Sequence, residues 1–303
     1  MQECSYSQVD AGEVRSTREG WHIRGSRSHP TCMEKRTLSP EFPPAGSPGS
    51  SDHPVRYPDL EDSLPESRRI RVRSYEYLDL KEGDSVLDAG CGPGYDALRM
   101  AAIVGSTGKV TGIDPVTRMI EIARENAARS TYPVSFQAGD VWRLDFPDAW
   151  FNAVRIDRIL QIHENPGEIL DELIRVLRPG GKILAIEPDW ETFVCDPGDR
   201  DTARTFFRFC ADQFPDGSAG RTLFRCFRER SLSDVVVHPE PLVMHRLALA
   251  SKMLHMEQFL GTAREHNVLT QNEIDTWLQE LAAADKKGRF TFAGMMFAVT
   301  GKK

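Results

Sequence analysis

Between Ser85 and Glu187, short apolar runs alternate with segments of helical period, and the first run passes into VLDAGCGPGY, residues 86–95. Alternation of this kind implies a parallel sheet covered by helices on both faces. It predicts strands over Ser85–Asp88, Lys109–Asp114, Val134–Ala138, Phe151–Asp157 and Lys182–Glu187. It predicts helices over Ser67–Leu78, Tyr95–Val104, Arg118–Ser130 and Pro166–Val176, with a turn at Arg178–Gly181. Glycine takes every second place from 90 to 94, where a strand gives way to a helix. Such a turn lets backbone approach a ligand without a Cβ clash. The helix behind it offers free N–H groups. A nucleotide-like ligand is therefore expected.

The acids around the glycines narrow that ligand. A dinucleotide fingerprint reads G-x-G-x-x-G, whereas Gly90, Gly92 and Gly94 give G-x-G-x-G and position 95 is Tyr. Asp88, two residues before the first glycine, would repel a pyrophosphate and suit a positive centre. Asp114 ends the second strand, where a carboxylate can accept both hydroxyls of a ribose. The expected ligand has a ribose, no phosphate and a cationic part. Singly, these residues have plainer readings. Asp88 and Asp140 suit turns or caps, Asp114 before Pro115 suits a turn, Cys91 suits a tight loop and Met119 suits helix packing. The joint spacing carries the reading.

VLDAGCGPG, VTGID, FQAGDVWRLDF and LRPGGKILAIEPD, in that order, resemble the motifs of class I S-adenosylmethionine-dependent methyltransferases. The likeness covers about residues 66–190 and is nearest to small-molecule enzymes of the ubiquinone and menaquinone type. It implies a doubly wound, Rossmann-like, mostly parallel sheet of seven strands, with an antiparallel last strand and a helical lid insertion. It implies S-adenosyl-L-methionine as cofactor. Asp88 would lie near the methionine amino group through water or backbone, and Gly90, Cys91, Gly92 and Gly94 would wrap the methionine and ribose. Asp114 would bind the ribose hydroxyls, Met119 would pack on the adenine, and Asp140 with the Val141 backbone would hold its amino group. Arg158 would line the donor pocket. Asn152 departs from the Asp usual at its place in the family.

Methyl transfer from a sulfonium rests on orienting the acceptor and excluding water. A general base is needed only where the acceptor must lose a proton. Among Asp157, Gln161, His163 and Glu164, His163 is the best candidate, with an unperturbed pKa of ~6.5; packing or capping is its plain alternative. After the fifth strand, Glu187, Asp189 and Trp190 are expected to face the acceptor, and Trp190 could stack on an apolar one. The chain has DRIL after the fourth strand, where base-modifying family members carry (N/D)PP(Y/F). A small-molecule acceptor is the leading expectation, and a catalytically inactive cofactor-binding partner is the alternative. An NAD(P) oxidoreductase would want its third glycine later and no acid at 88.

The remaining chain sets boundaries. Residues 1–57 hold seven Lys/Arg and seven Asp/Glu amid Ser, Gly and Pro. They lack a sustained period, so a disordered tail is expected, followed by one domain over 58–303. Helices over Ala219–Leu232, Leu247–His266 and Gln271–Ala284 are predicted, with strands over Val235–His238 and Phe290–Thr300. The FFRF run of residues 206–209 reads as a packed helix. The helical pair, about 246–287, is long enough to be a lid or binding segment. Of 303 residues 40% are hydrophobic, and the formal net charge is −7. That charge gives no broad basic face for nucleic acid. No run approaches the ~18 apolar residues of a membrane span, and no secretory h-region opens the chain. The six cysteines form no C-x-x-C pair, so neither zinc nor a disulfide framework is expected. A cytoplasmic protein is expected, and the sequence is compatible with a homodimer.

Overall fold

The computed structural model describes residues 65–128 and 130–303; the expected tail over 1–57 lies outside them. Seven strands form one sheet in the order β3-β2-β1-β4-β5-β7-β6. They are β1 (Ser85–Ala89), β2 (Lys109–Asp114), β3 (Val134–Ala138), β4 (Phe151–Asp157), β5 (Leu177–Asp196), β6 (Ser233–Met244) and β7 (Thr291–Lys302). β1 to β5 are parallel, and β7 runs antiparallel to both β5 and β6. The strand order reverses at β1, between β2 and β4. In open parallel sheets that switch point is where ligands bind, outside the carboxyl ends of the strands.

Nine α-helices are found among the described residues: α1 (Pro65–Leu78), α2 (Tyr95–Val104), α3 (Thr117–Ala127), α4 (Pro166–Val176), α5 (Arg200–Asp212), α6 (Ala219–Glu229), α7 (Leu247–Met253), α8 (Met256–Glu265) and α9 (Gln271–Lys286). Their apolar residues divide between two cores. α1, α2, α3, α5 and α7 to α9 cover one face of the sheet around Val86, Leu184 and Phe292. α4 and α6 cover the other around Leu87, Val154 and Val299. Alternation along each strand sends successive side chains to opposite faces, which is why Val86 and Leu87 lie in different cores.

Four differences from the sequence reading have local causes. The expected helix over 247–266 is two, because His255 takes a left-handed conformation with φ 50° between α7 and α8. The expected turn at 178–181 bulges from the start of β5, since Phe151 pairs with Leu177 and Ala153 with Lys182. β5 also continues to Asp196 against β7, with a register shift between Asp189 and Val194 where the Thr192 hydroxyl accepts the Met295 N–H at 2.9 Å. β6 extends to Met244, well past His238. α9 opens with a capping box, Thr270 and Glu273 bonding each other's backbone, a signal that fixes helix starts. α1 is fastened to β6 by Glu240, whose buried carboxylate pairs with Arg69 at 3.0 Å and Arg73 at 3.1 Å.

Candidate active site

The glycine loop sits at the switch point and is held from below. The N–H groups of Gly90 and Cys91 both donate to the Ile113 carbonyl at 2.9 Å, and Gly94 N–H donates to the Cys91 carbonyl at 3.0 Å. Two of the glycines are there for packing. A Cβ on Gly90 would stand 2.6 Å from Ile159, and one on Gly94 would stand 2.6 Å from Phe136. Gly92 is different: its φ is +51° and a Cβ there would meet nothing within 4 Å. Open space therefore lies over the middle glycine. Cys91 is buried, its thiol pushed up by that burial and by Asp88 and Asp114, so it packs rather than reacts.

Asp114 closes the cradle from β2. Its Oδ2 accepts the Gly92 N–H at 3.0 Å and its Oδ1 the Val116 N–H at 2.9 Å. Burial raises its pKa, opposed by those two N–H groups. Met119 is buried on α3. Asp140 is exposed, accepts the Trp142 N–H at 3.1 Å and pairs through its backbone with Arg143 in an isolated β-bridge, while Val141 is buried beside it. A cavity of about 220 Å³ opens at this edge, lined by Ile113, Gln137 to Asp140 and Arg143 to Phe146.

Asp88 has another employment. It is 1% exposed and lies in register with Arg155 of β4, whose Nη1 donates to it at 3.2 Å. Arg155, also buried, contacts Asp96 at 3.4 Å and Asp157 at 2.7 Å. Tyr75 of α1 donates its hydroxyl to Asp96. The sequence argument gave Asp88 a charge facing the ligand; the structure places a guanidinium against that charge. Burial pushes the Asp88 carboxyl up against the pull of Arg155. Its Oδ2 has no hydrogen-bond partner among the described residues. Burial also opposes the ionised form of Asp96, but Arg155 and Arg71 outweigh it and hold that carboxyl low. Sequence reasoning missed Arg155 and Asp96. Arg155 lies inside the predicted strand, but only the strand pairing reveals its carboxylates.

The segment after β4 divides between two sides. Arg158 has φ 57°, and its Nε donates to Asp157 at 3.2 Å. Leu160–Ile162 is a single 3₁₀ turn. The Gln161 side chain accepts the Trp190 indole N–H at 2.7 Å. The half-buried His163 ring instead meets Trp142 edge-on at 4.9 Å. Burial lowers its pKa and Asp140 partly restores it. His163 thus stands near Asp140, whereas Gln161 reaches toward Trp190. Trp190 is 9% exposed and stacks on Phe214 at 4.8 Å, with Phe193 and Phe259 around it. Asp189 and Glu187, expected to face an acceptor, do not. Asp189 forms a two-pronged pair with Arg221 of α6. Glu187 is fully buried. Asn152, the family departure, accepts the Ser85 N–H at 2.9 Å. Among the described residues no cluster of three His, Cys, Asp or Glu is placed to hold a metal ion, and no helix is long and apolar enough to cross a membrane.

These features suit a ribose-bearing donor. Gly92 offers open space, Asp114 a carboxylate beside it, and Asp140 an exposed acceptor at the neighbouring strand tip. Fold and site together define a nucleoside-binding domain of the doubly wound α/β class. The model of a methyltransferase domain family matches residues 80–216. A Streptomyces fradiae protein described as an uncharacterized 37.1 kDa protein in transposon Tn4556 is 31% identical over 249 residues, covering 82% of this chain and 71% of that one. The demethylmenaquinone methyltransferase of Symbiobacterium thermophilum is 36% identical over 109 residues, 35% of this chain and 43% of the relative, so the chain spans less than half of that enzyme's length. The YcgJ protein of Bacillus subtilis shares the fold, with a TM-score of 0.56 at 17% identity over 78% of this chain and 98% of its own. The chain belongs to the class I S-adenosylmethionine-dependent methyltransferases.

Proposed function

We propose that the protein transfers a methyl group from S-adenosylmethionine to a small apolar acceptor of quinone-like or secondary-metabolite type, in a cytoplasmic setting. One observation carries the donor half. Asp114 holds the Gly92 N–H while Gly92 opens on free space, so a carboxylate and a bare backbone stand side by side at the switch point. In this reading Asp114 accepts the ribose hydroxyls. The backbone of Gly90, Cys91, Gly92 and Gly94 lies along the methionine and ribose, with Asp88 near the methionine amino group through water or backbone. Asp140 and the Val141 backbone take the adenine amino group, Met119 packs beside the ring, and Arg158 borders the pocket. The bound sulfonium supplies an already activated methyl group.

The chain's own contribution is then orientation and exclusion of water. Trp190, Phe214 and Phe259 supply a rigid aromatic wall, which suits a flat apolar acceptor. The demethylmenaquinone methyltransferase likeness supports an acceptor of that shape. His163 is the proposed proton acceptor where the acceptor must ionise; its lowered pKa keeps the imidazole neutral near pH 7. α7 to α9 form the proposed substrate-covering segment.

The test is incubation with S-adenosylmethionine and a panel of hydroquinones, phenols and amines, read by mass spectrometry. Gain of one methyl on an aromatic acceptor, with S-adenosylhomocysteine released in equal amount, is expected. Tight S-adenosylhomocysteine binding with no methyl gain on any acceptor would favour the inactive partner instead.

A further inference from the structure

Midway along β5, just past the end of its pairing with β4, lies a carboxyl that no step above uses. Glu187 is 0% exposed. Its Oε1 accepts two backbone N–H groups, Ile159 at 2.9 Å and Leu160 at 2.7 Å. Its Oε2 is buried and has no hydrogen-bond partner among the described residues. Burial pushes its pKa up to about 8, with Asp157 adding to the rise and the turn's N–H groups opposing it. Burial therefore favours the protonated form of the group, and its Oε1 accepts the two N–H bonds.

What Glu187 grips matters more than its charge. Ile159 is the side chain that a Cβ on Gly90 would strike, so it rests on the glycine loop. Two residues later, Gln161 accepts the Trp190 indole N–H, and its carbonyl accepts the Asp216 N–H at 3.3 Å. The Trp190 backbone N–H donates to the Gly217 carbonyl at 2.9 Å. One short turn therefore touches the donor cradle at one end and the aromatic wall at the other. Folding stability alone does not explain a carboxyl there. A buried polar oxygen without a partner costs free energy that an apolar side chain of similar volume would not.

We propose that Glu187 is a positioning residue, whose buried carboxyl locks the 159–161 turn so that the glycine loop and the Trp190 wall keep one fixed relation. The idea rests on the methyltransferase reading for its consequence in turnover, and on the fold alone for its mechanical part. Glu187→Gln retains a carbonyl oxygen for both N–H groups and matches the neutral acid in shape. Glu187→Leu removes the acceptor.

The experiment compares both variants with the wild-type chain by calorimetry with S-adenosylhomocysteine and by tryptophan emission without ligand. Glu187→Gln is expected within about threefold of wild-type affinity, and Glu187→Leu weaker by about tenfold or more, with its emission shifted as Trp190 loses Gln161. Equal loss in both variants, or wild-type behaviour of Glu187→Leu, overturns the proposal. If Glu187→Leu does not fold, amide exchange in the wild-type protein decides. Ile159 and Leu160 amides are expected to be protected by about 100-fold or more without ligand, and protection below about tenfold overturns the lock. Should the wild-type chain fail to bind S-adenosylhomocysteine, the methyltransferase reading falls, while emission and exchange still judge the lock by themselves.

Discussion

The two halves of the sheet are built on different physics. Around β1, β2 and β4 the interior carries charge: Arg155 touches Asp88, Asp96 and Asp157, and Tyr75 closes the group from α1. Around β5 and β7 the interior carries rings: Phe193, Phe206, Phe207, Phe292 and Trp277 pack one on another. The charged half supports the glycine loop, whose backbone must hold one shape. The aromatic half supports Trp190 and the proposed acceptor wall. Directional, buried polar contacts have few satisfactory arrangements, whereas apolar packing tolerates changes of shape if volume is kept. The donor cradle therefore stands on the foundation less tolerant of substitution, and the acceptor wall on the one more tolerant of it.

Four measurements break or sharpen this contrast. The largest effect belongs to Arg155→Met. It leaves buried carboxylates without their cation, a loss of about 3–5 kcal/mol, and urea denaturation should show it together with loss of S-adenosylhomocysteine binding. Phe193→Ala, on the aromatic half, should cost roughly 3 kcal/mol through the cavity it leaves. Below its unfolding midpoint it should still bind S-adenosylhomocysteine within about threefold of wild type; a collapse of that affinity would show that the halves are not separable. Asp114→Ala should weaken S-adenosylhomocysteine by about tenfold or more and cost about 1–3 kcal/mol of stability, because it strands the Gly92 and Val116 N–H groups. Trp190→Phe keeps the ring but loses the bond to Gln161, about 1 kcal/mol, and should raise the acceptor KM more than it alters cofactor affinity.

The acids add a test in pH. Asp88 and Glu187 have folded pKa values raised above their unfolded ones. Between the unfolded values and about 8, the folded state holds protons that the unfolded state has released. Stability from these two groups therefore falls as pH rises through that window. Asp96, held low, acts in the opposite sense: its contribution is present above pH ~4 and lost as pH falls further. Glu187→Gln should flatten the decline between pH 5 and 8 in thermal melts, and an unchanged slope would assign the decline elsewhere.

Much of this was legible in the chain. Strands at 109–114, 134–138 and 151–157 are marked by β-branched and aromatic residues bounded by turn signals, and the observed elements have those bounds. Local order and spacing also placed Gly92 and Asp114, which the structure brings together. What escaped depends on contacts between distant segments. Arg155 becomes a core residue only because β4 lies beside β1 in a register that sets it opposite Asp88. The continuation of β5 to Asp196 is hidden because the shift near Thr192 breaks the two-residue period. His163 and Gln161, two residues apart, face different neighbours because the 3₁₀ turn ends between them.

The central claim is that the space over Gly92, beside Asp114, receives the ribose of S-adenosylmethionine. Calorimetric titration of S-adenosylhomocysteine into wild-type protein and Asp114→Asn tests it most directly. The account predicts one site per chain in the wild type, and binding weaker by about tenfold or more in a variant that remains folded at the temperature of the titration. No binding to the wild type, or equal binding to both, would contradict it.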